Sequence, residues 1–173
     1  MEKDQKQFRA IISELQNMVE VDQAMRNNYR YNPEAWDETV DYQNTKRMKT
    51  IIDEIGWPSI SKVGETGSSN AWLLVQHADH DPEFQKKCLD LMKSEREGEV
   101  SKRNIAYLED RIAVADGKPQ IYGTQFHKNS SGQLEPLPIQ NADNVDKRRK
   151  EMGLEPLTEN QRRIQERYGK KRA

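Results

Sequence analysis

The sequence predicts a mainly α fold, a single helical domain with a small β-hairpin in its C-terminal third. Three observations predict it. Apolar residues recur three or four apart in several windows. Asp81-Pro82-Glu83 has the composition of a helix start, with an N-cap Asp, Pro at the first position and an acid in the first turn. Near residue 119 the texture changes to β-branched, aromatic and alternating, with Asn129-Ser130-Ser131-Gly132 as turn chemistry.

The elements follow in order. Over 5–29, Phe8, Ile11, Ile12, Leu15, Met18, Val19, Met25 and Tyr29 form one helical stripe. Asp22 falls on that stripe, and Arg26 lies one turn beyond it. After Asn32-Pro33 a second helix is expected over about 34–55, with Trp36, Val40, Met48, Ile51, Ile52 and Ile55 as its face and Gly56 as its stop. Residues 58–69 hold Pro58, Gly64, Gly67 and four serines and read as a loop. The run from Asn70 to Asp79 begins apolar on all sides, so a buried central helix is expected, with a buried strand as the alternative. Helices over about 82–97 and 101–115 end at Gly98 and Gly117. The hairpin is expected at about 119–139, its second run confined to a sheet edge by Pro136 and Pro138. A short helix follows from Asp143 to Met152. Thr158-Glu159-Asn160-Gln161 has capping-box spacing. The expected division is therefore a helical domain over 1–157 and a basic C-terminal helix or tail over 158–173.

Composition excludes several classes. The 173 residues are 34% hydrophobic and 33% charged, so no segment is apolar enough for a membrane span. Met1 to Asp4 carry both charges and no signal-peptide core follows, so a cytoplasmic location is expected. Cys88 is the single cysteine, which excludes an internal disulfide and a multi-cysteine zinc site. On the apolar face with Phe84 and Met92 it reads as a buried, inert thiol. A net charge of -1 argues against a globally basic nucleic-acid binder. From Asn144 onward there are ten Lys/Arg and five Asp/Glu, but few aromatics interleave, so solvated helical faces are preferred to a nucleic-acid contact.

Five words, Asp22-Gln23, Gly56-Trp57-Pro58, Gln76-His77-Ala78-Asp79, Asp110-Arg111 and Gln120-x-Tyr122-Gly123-Thr124-Gln125, resemble an uncharacterised, mainly bacterial domain-of-unknown-function family. The resemblance spans roughly 15–157. It implies that these words belong to one domain and implies no chemistry.

The residues themselves suggest candidates. His77 ends the buried run, and imidazole suits general acid/base work near neutral pH. An inert helix-end histidine is the plain alternative. Asp22 needs a partner on its apolar stripe. Facing His77 it would orient the imidazole, as in a triad; facing an arginine it would only fix packing. Catalytic roles are assigned to His77 and Asp22. Substrate-binding roles are assigned to Gln76, Asp79, Arg111, Gln120, Tyr122 and Gln125. On a strand, Gln120, Tyr122 and Thr124 would share one face. Asp110-Arg111 reads most simply as a surface or interhelix ion pair. His77, His80 and Asp79 or Asp81 have a weak metal spacing, with Asp81 already needed as an N-cap, so no metal and no cofactor are expected. No Walker or GxSxG motif is present. The expected function is an enzyme of hydrolase or lyase type acting on a small molecule or peptide. A non-catalytic peptide or small-ligand binding module is the alternative.

Overall fold

A computed structural model describes residues 2–168, and the side chains from Asp4 onward. It is mainly α, with seven α-helices and one two-stranded hairpin among the described residues. The chain divides into two compact units, Met1–Ser101 and Lys102–Ala173.

The first unit is helical. α1 spans Glu2–Tyr29, α2 Glu38–Ile55, α3 Ile60–Gln76 and α4 Pro82–Ser94. α1 packs on α3 and, less extensively, on α2, while α4 rests on α3. Ile11, Leu15, Met48, Ile51, Leu74, Val75, Cys88 and Met92 form the core, and Trp57 is sealed within the unit. The periodic stripe of α1 is real, and Asp22 sits on it fully buried. Three expected members of apolar faces leave the core. Ile12 is exposed on α1. Tyr29 is exposed at the end of α1. Trp36 precedes α2 and is also exposed, because Asp37 caps α2 by accepting from the Thr39 N–H.

The expected loop over 58–69 is largely helix. Ile60 to Gln76 is one run broken at Gly64, whose φ of 73° and ψ of 169° are non-helical. Glycine adopts that conformation without a Cβ penalty, so a kink replaces the loop. Helical spacing continues across the break, burying Val63, Gly67, Ser68 and Ala71. The start of α4 is as expected, with the Asp81 carboxylate accepting from the Phe84 N–H at 3.1 Å.

The second unit contains α5 (Lys102–Ala115), β1 (Phe126–Lys128), β2 (Leu134–Pro136), α6 (Val145–Glu151) and α7 (Leu157–Tyr168). β1 and β2 are antiparallel, with His127 opposite Glu135. The strands are shorter than expected. Residues 119–125 are not a strand, and Gln120 forms only an isolated parallel bridge to Ile139. The free edge of β2 is closed by α7. The Leu134 N–H donates to the Gln165 side chain and the Leu134 carbonyl accepts from Gln161, while Pro136 has no N–H to offer. α7 begins one residue before the expected capping box, at Leu157, whose N–H is taken by Asp146.

Candidate functional site

His77 is the C-cap of α3, and its N–H bonds to the Leu73 carbonyl. A tight turn, with Ala78 N–H to Val75 and Asp81 N–H to Ala78, leads into α4. Gln85, buried on α4, braces this turn. Its amide nitrogen lies 3.2–3.3 Å from the carbonyls of Val75 and Gln76 and from the Asp79 carboxylate. Gln85 lies on one stripe with Cys88, Leu89 and Met92, so a buried amide was readable in the sequence there. Asp41, from the first turn of α2, carried no such signal.

Five side chains converge in the first unit: Asp22, Gln23, Arg26, Asp41 and His77. The His77 Nδ1 lies 2.9 Å from Asp22 Oδ1. Arg26 Nε lies 3.1 Å from the same oxygen, and Arg26 Nη2 lies 2.6 Å from Asp41 Oδ1. Gln23 donates to Asp22 Oδ2 at 2.7 Å. Arg26 Nε is also 3.0 Å from His77 Nδ1. An ionised carboxylate only accepts, so a hydrogen bond from His77 to Asp22 uses a proton on Nδ1. The Arg26 Nε–H is shared between Asp22 Oδ1 and Nδ1, and its bond to Nδ1 uses the other tautomer. The His77 side chain is 13% exposed.

Electrostatics agree with an ionised Asp22. Burial opposes its charge, but hydrogen bonds from His77 and Gln23 and the charges of His77 and Arg26 outweigh burial, and the carboxyl titrates below its ordinary range. Asp22, Asp41 and His77 place one ligand atom each within 4.8 Å of one another, the spacing of a metal site. Arg26 bonds to both carboxylates and is the cation there. The residues weighed for metal from sequence are used otherwise. Asp81 caps α4 and pairs with Lys49, and the His80 ring stacks on Tyr42 at 4.0 Å.

Of the remaining candidates in this unit, Gln76 is half-buried beside His77, and its buried side-chain oxygen Oε1 has no hydrogen-bond partner among the described residues. Asp79 is exposed and accepts from Gln85. Cys88 is buried, and desolvation pushes its thiol up to about 12.

In the second unit Arg111, Gln120, Tyr122 and Gln125 belong to or flank another network. Asp110, read as a surface or interhelix partner, is fully buried instead. It accepts from the N–H groups of Ile121, Tyr122 and Thr124 and from the Thr124 hydroxyl, at 2.7–3.2 Å. This bends 120–125 into a loop and replaces the expected strand alternation. Gln120 is fully buried. Its amide donates to the carbonyls of Gln125 and Leu137, and its oxygen accepts from the Gln125 N–H. Gln125 donates in turn to Thr124 Oγ1. Buried Arg149 donates to the carbonyls of Tyr122, Gly123 and Glu155. Tyr122 donates to Glu109, and burial with that neighbouring carboxylate pushes its hydroxyl up to about 12. Arg111 is half-buried on α5. A cavity of about 380 Å³ between β2 and α7, lined by Asn129, Glu135, Gln161 and Arg162 among others, holds none of the sequence-predicted site residues.

Residues 10–173 match the model of a family described as a family of unknown function, DUF6624. The chain belongs to this family. No match is found among curated proteins or solved structures. No helix among the described residues is long and apolar enough to cross a membrane. Of the basic C-terminal residues, Arg162 pairs with Glu159 and Glu166, and Arg163 pairs with Glu155. Lys170, Lys171 and Arg172 lie outside the described residues.

Proposed function

We propose that this protein is an enzyme of hydrolase or lyase type in which His77 Nε2 exchanges a proton with substrate or water. The Asp22–His77 hydrogen bond of 2.9 Å carries this reading. Asp22 fixes the ring and its tautomer and stabilises the imidazolium that forms when Nε2 takes a proton. Arg26 holds Asp22 ionised, and Asp41 holds Arg26, so these two are positioning residues. Gln76, next to His77, supplies an uncommitted side-chain oxygen, Oε1, for a substrate N–H or O–H. No nucleophilic side chain is placed in the pair, so the reading is proton transfer rather than covalent catalysis.

The test is a panel of chromogenic esters, amides, phosphoesters and glycosides, run with wild type and with His77→Ala shown to be folded by circular dichroism. The expected result is turnover of one class that falls by about 100-fold or more in the variant. Equal turnover in both proteins overturns the mechanism. A non-catalytic binding module is the second reading, favoured by the charge pairing of both carboxylates with Arg26. A ligand retained by His77→Ala without any turnover decides for it.

A further inference from the structure

The segment joining α1 to α2 exposes three aromatic rings. Tyr29 is 45% exposed, Tyr31 83% and Trp36 41%. Sequence periodicity assigns Tyr29 and Trp36 to buried faces, yet both lie outside the core. Water is a poor solvent for such rings, and three in eight residues form a surface patch rather than scattered exposure. Tyr29 packs edge-on against Trp36, with centroids 5.1 Å apart, so these two rings are held together, and Tyr31 follows Tyr29 by two residues. The Arg26 guanidinium lies over the Trp36 ring, 5.0 Å from its centroid, a cation–π contact within the chain that takes up one approach to this ring.

The surrounding charge points the same way. From Tyr29 to Tyr42 the chain carries Glu34, Asp37, Glu38 and Asp41 against one base, Arg30, and with Asp41 paired to Arg26 the balance is three acids to one base. Glu34, Asp37 and Glu38 are exposed. A field of this sign repels phosphate-rich partners such as nucleic acids and anionic membranes, and it attracts ammonium and guanidinium groups. We propose that the Tyr29–Tyr31–Trp36 patch with Glu34 and Glu38 is a docking surface for a Lys/Arg-bearing peptide segment of another protein. Aromatic faces take the cationic head groups and the hydrocarbon stems of those side chains, while the carboxylates steer and pair them. This goes beyond the proposed acid/base chemistry and holds whether or not His77 turns anything over.

The full chain is titrated by calorimetry with acetyl-Gly-Arg-Gly-Lys-Gly-Arg-Gly-amide and with the same peptide carrying Glu at each basic position. The expected result is binding of the basic peptide alone, weakened by added salt. Trp36→Ala is expected to weaken it about tenfold, from the loss of stacking and cation–π contact. Tyr31→Ala changes a ring that is mostly in solvent and keeps the test valid if Trp36→Ala disturbs Arg26; it is expected to weaken binding about threefold. The double variant Glu34→Gln, Glu38→Gln is expected to lose most of the salt dependence. The proposal is overturned if the basic peptide does not bind, if the acidic peptide binds as well, or if Tyr31→Ala and the double variant both bind like wild type.

Discussion

Replacing Asp22 by Asn tests the central charge network directly. The carboxylate is fully buried and takes hydrogen bonds from His77, Arg26 and Gln23. The amide keeps nearly the same shape but removes the charge and turns one acceptor into a donor. Removing one partner of a buried ion pair typically costs about 3–5 kcal/mol. Arg26 keeps Asp41, and the side chains of Arg26 and His77 are 23% and 13% exposed, so the cost here is smaller, about 2–3 kcal/mol. With a urea slope of about 1–3 kcal/mol per molar, the unfolding midpoint falls by about 0.7–3 M. Tryptophan fluorescence is the right probe, because Trp36, Trp57 and Trp72 all lie in the first unit. The pH dependence gives a second readout. The folded carboxyl titrates below its unfolded value of about 3.9. Its contribution is therefore complete above about pH 4 and is lost as pH falls through the folded value. The gap between wild type and Asp22→Asn is expected to be widest near neutral pH and to close in acid. A gap that stays constant from pH 7 to pH 3, or no gap at pH 7, refutes the assignment of Asp22 as an ionised, network-holding group.

Two further substitutions probe the second unit. Asp110→Ala strips the acceptor from three backbone N–H groups and is expected to cost about 3–9 kcal/mol, at about 1–3 kcal/mol per deprived group. Amide hydrogen exchange at Ile121, Tyr122 and Thr124 is expected to accelerate, and unchanged protection there refutes the role. Gly123→Ala places a Cβ 2.8 Å from both Ile139 Cδ1 and Leu157 Cδ1 at a φ of +70°. The strain and the clash are expected to cost about 1–3 kcal/mol in chemical denaturation. A change within about 0.5 kcal/mol shows that the loop relaxes around it.

The sequence by itself determined the helical class, most helix positions and the presence of an anomalous acid on the α1 stripe. Those features depend on local quantities: side-chain period, caps and stop residues. Asp81 and Gly56 act in the structure as their local chemistry dictates. Gly64 shows the limit of local reading, since the same glycine and serine content fits a loop or a kinked helix. The choice depended on whether Val63, Gly67 and Ala71 found a surface to bury against.

Tertiary structure alone decided the partners. Asp22 had Arg26 one turn away, and pairing with it needed only α1. Contact with His77, 55 residues distant, required α1 and α3 to pack at one particular register and rotation. Asp41 reached the network from α2 in the same way, with no mark in its own sequence. The word from Gln120 to Gln125 reads as a polar binding strand because strand alternation is the default reading of such residues. A single buried carboxylate accepting three consecutive-region N–H groups overrides that default, because a charge removed from water must be fully hydrogen-bonded and the backbone bends to supply the donors. Periodicity encodes which face of an element is buried. Which charged group meets which on that face is fixed only when separate elements pack.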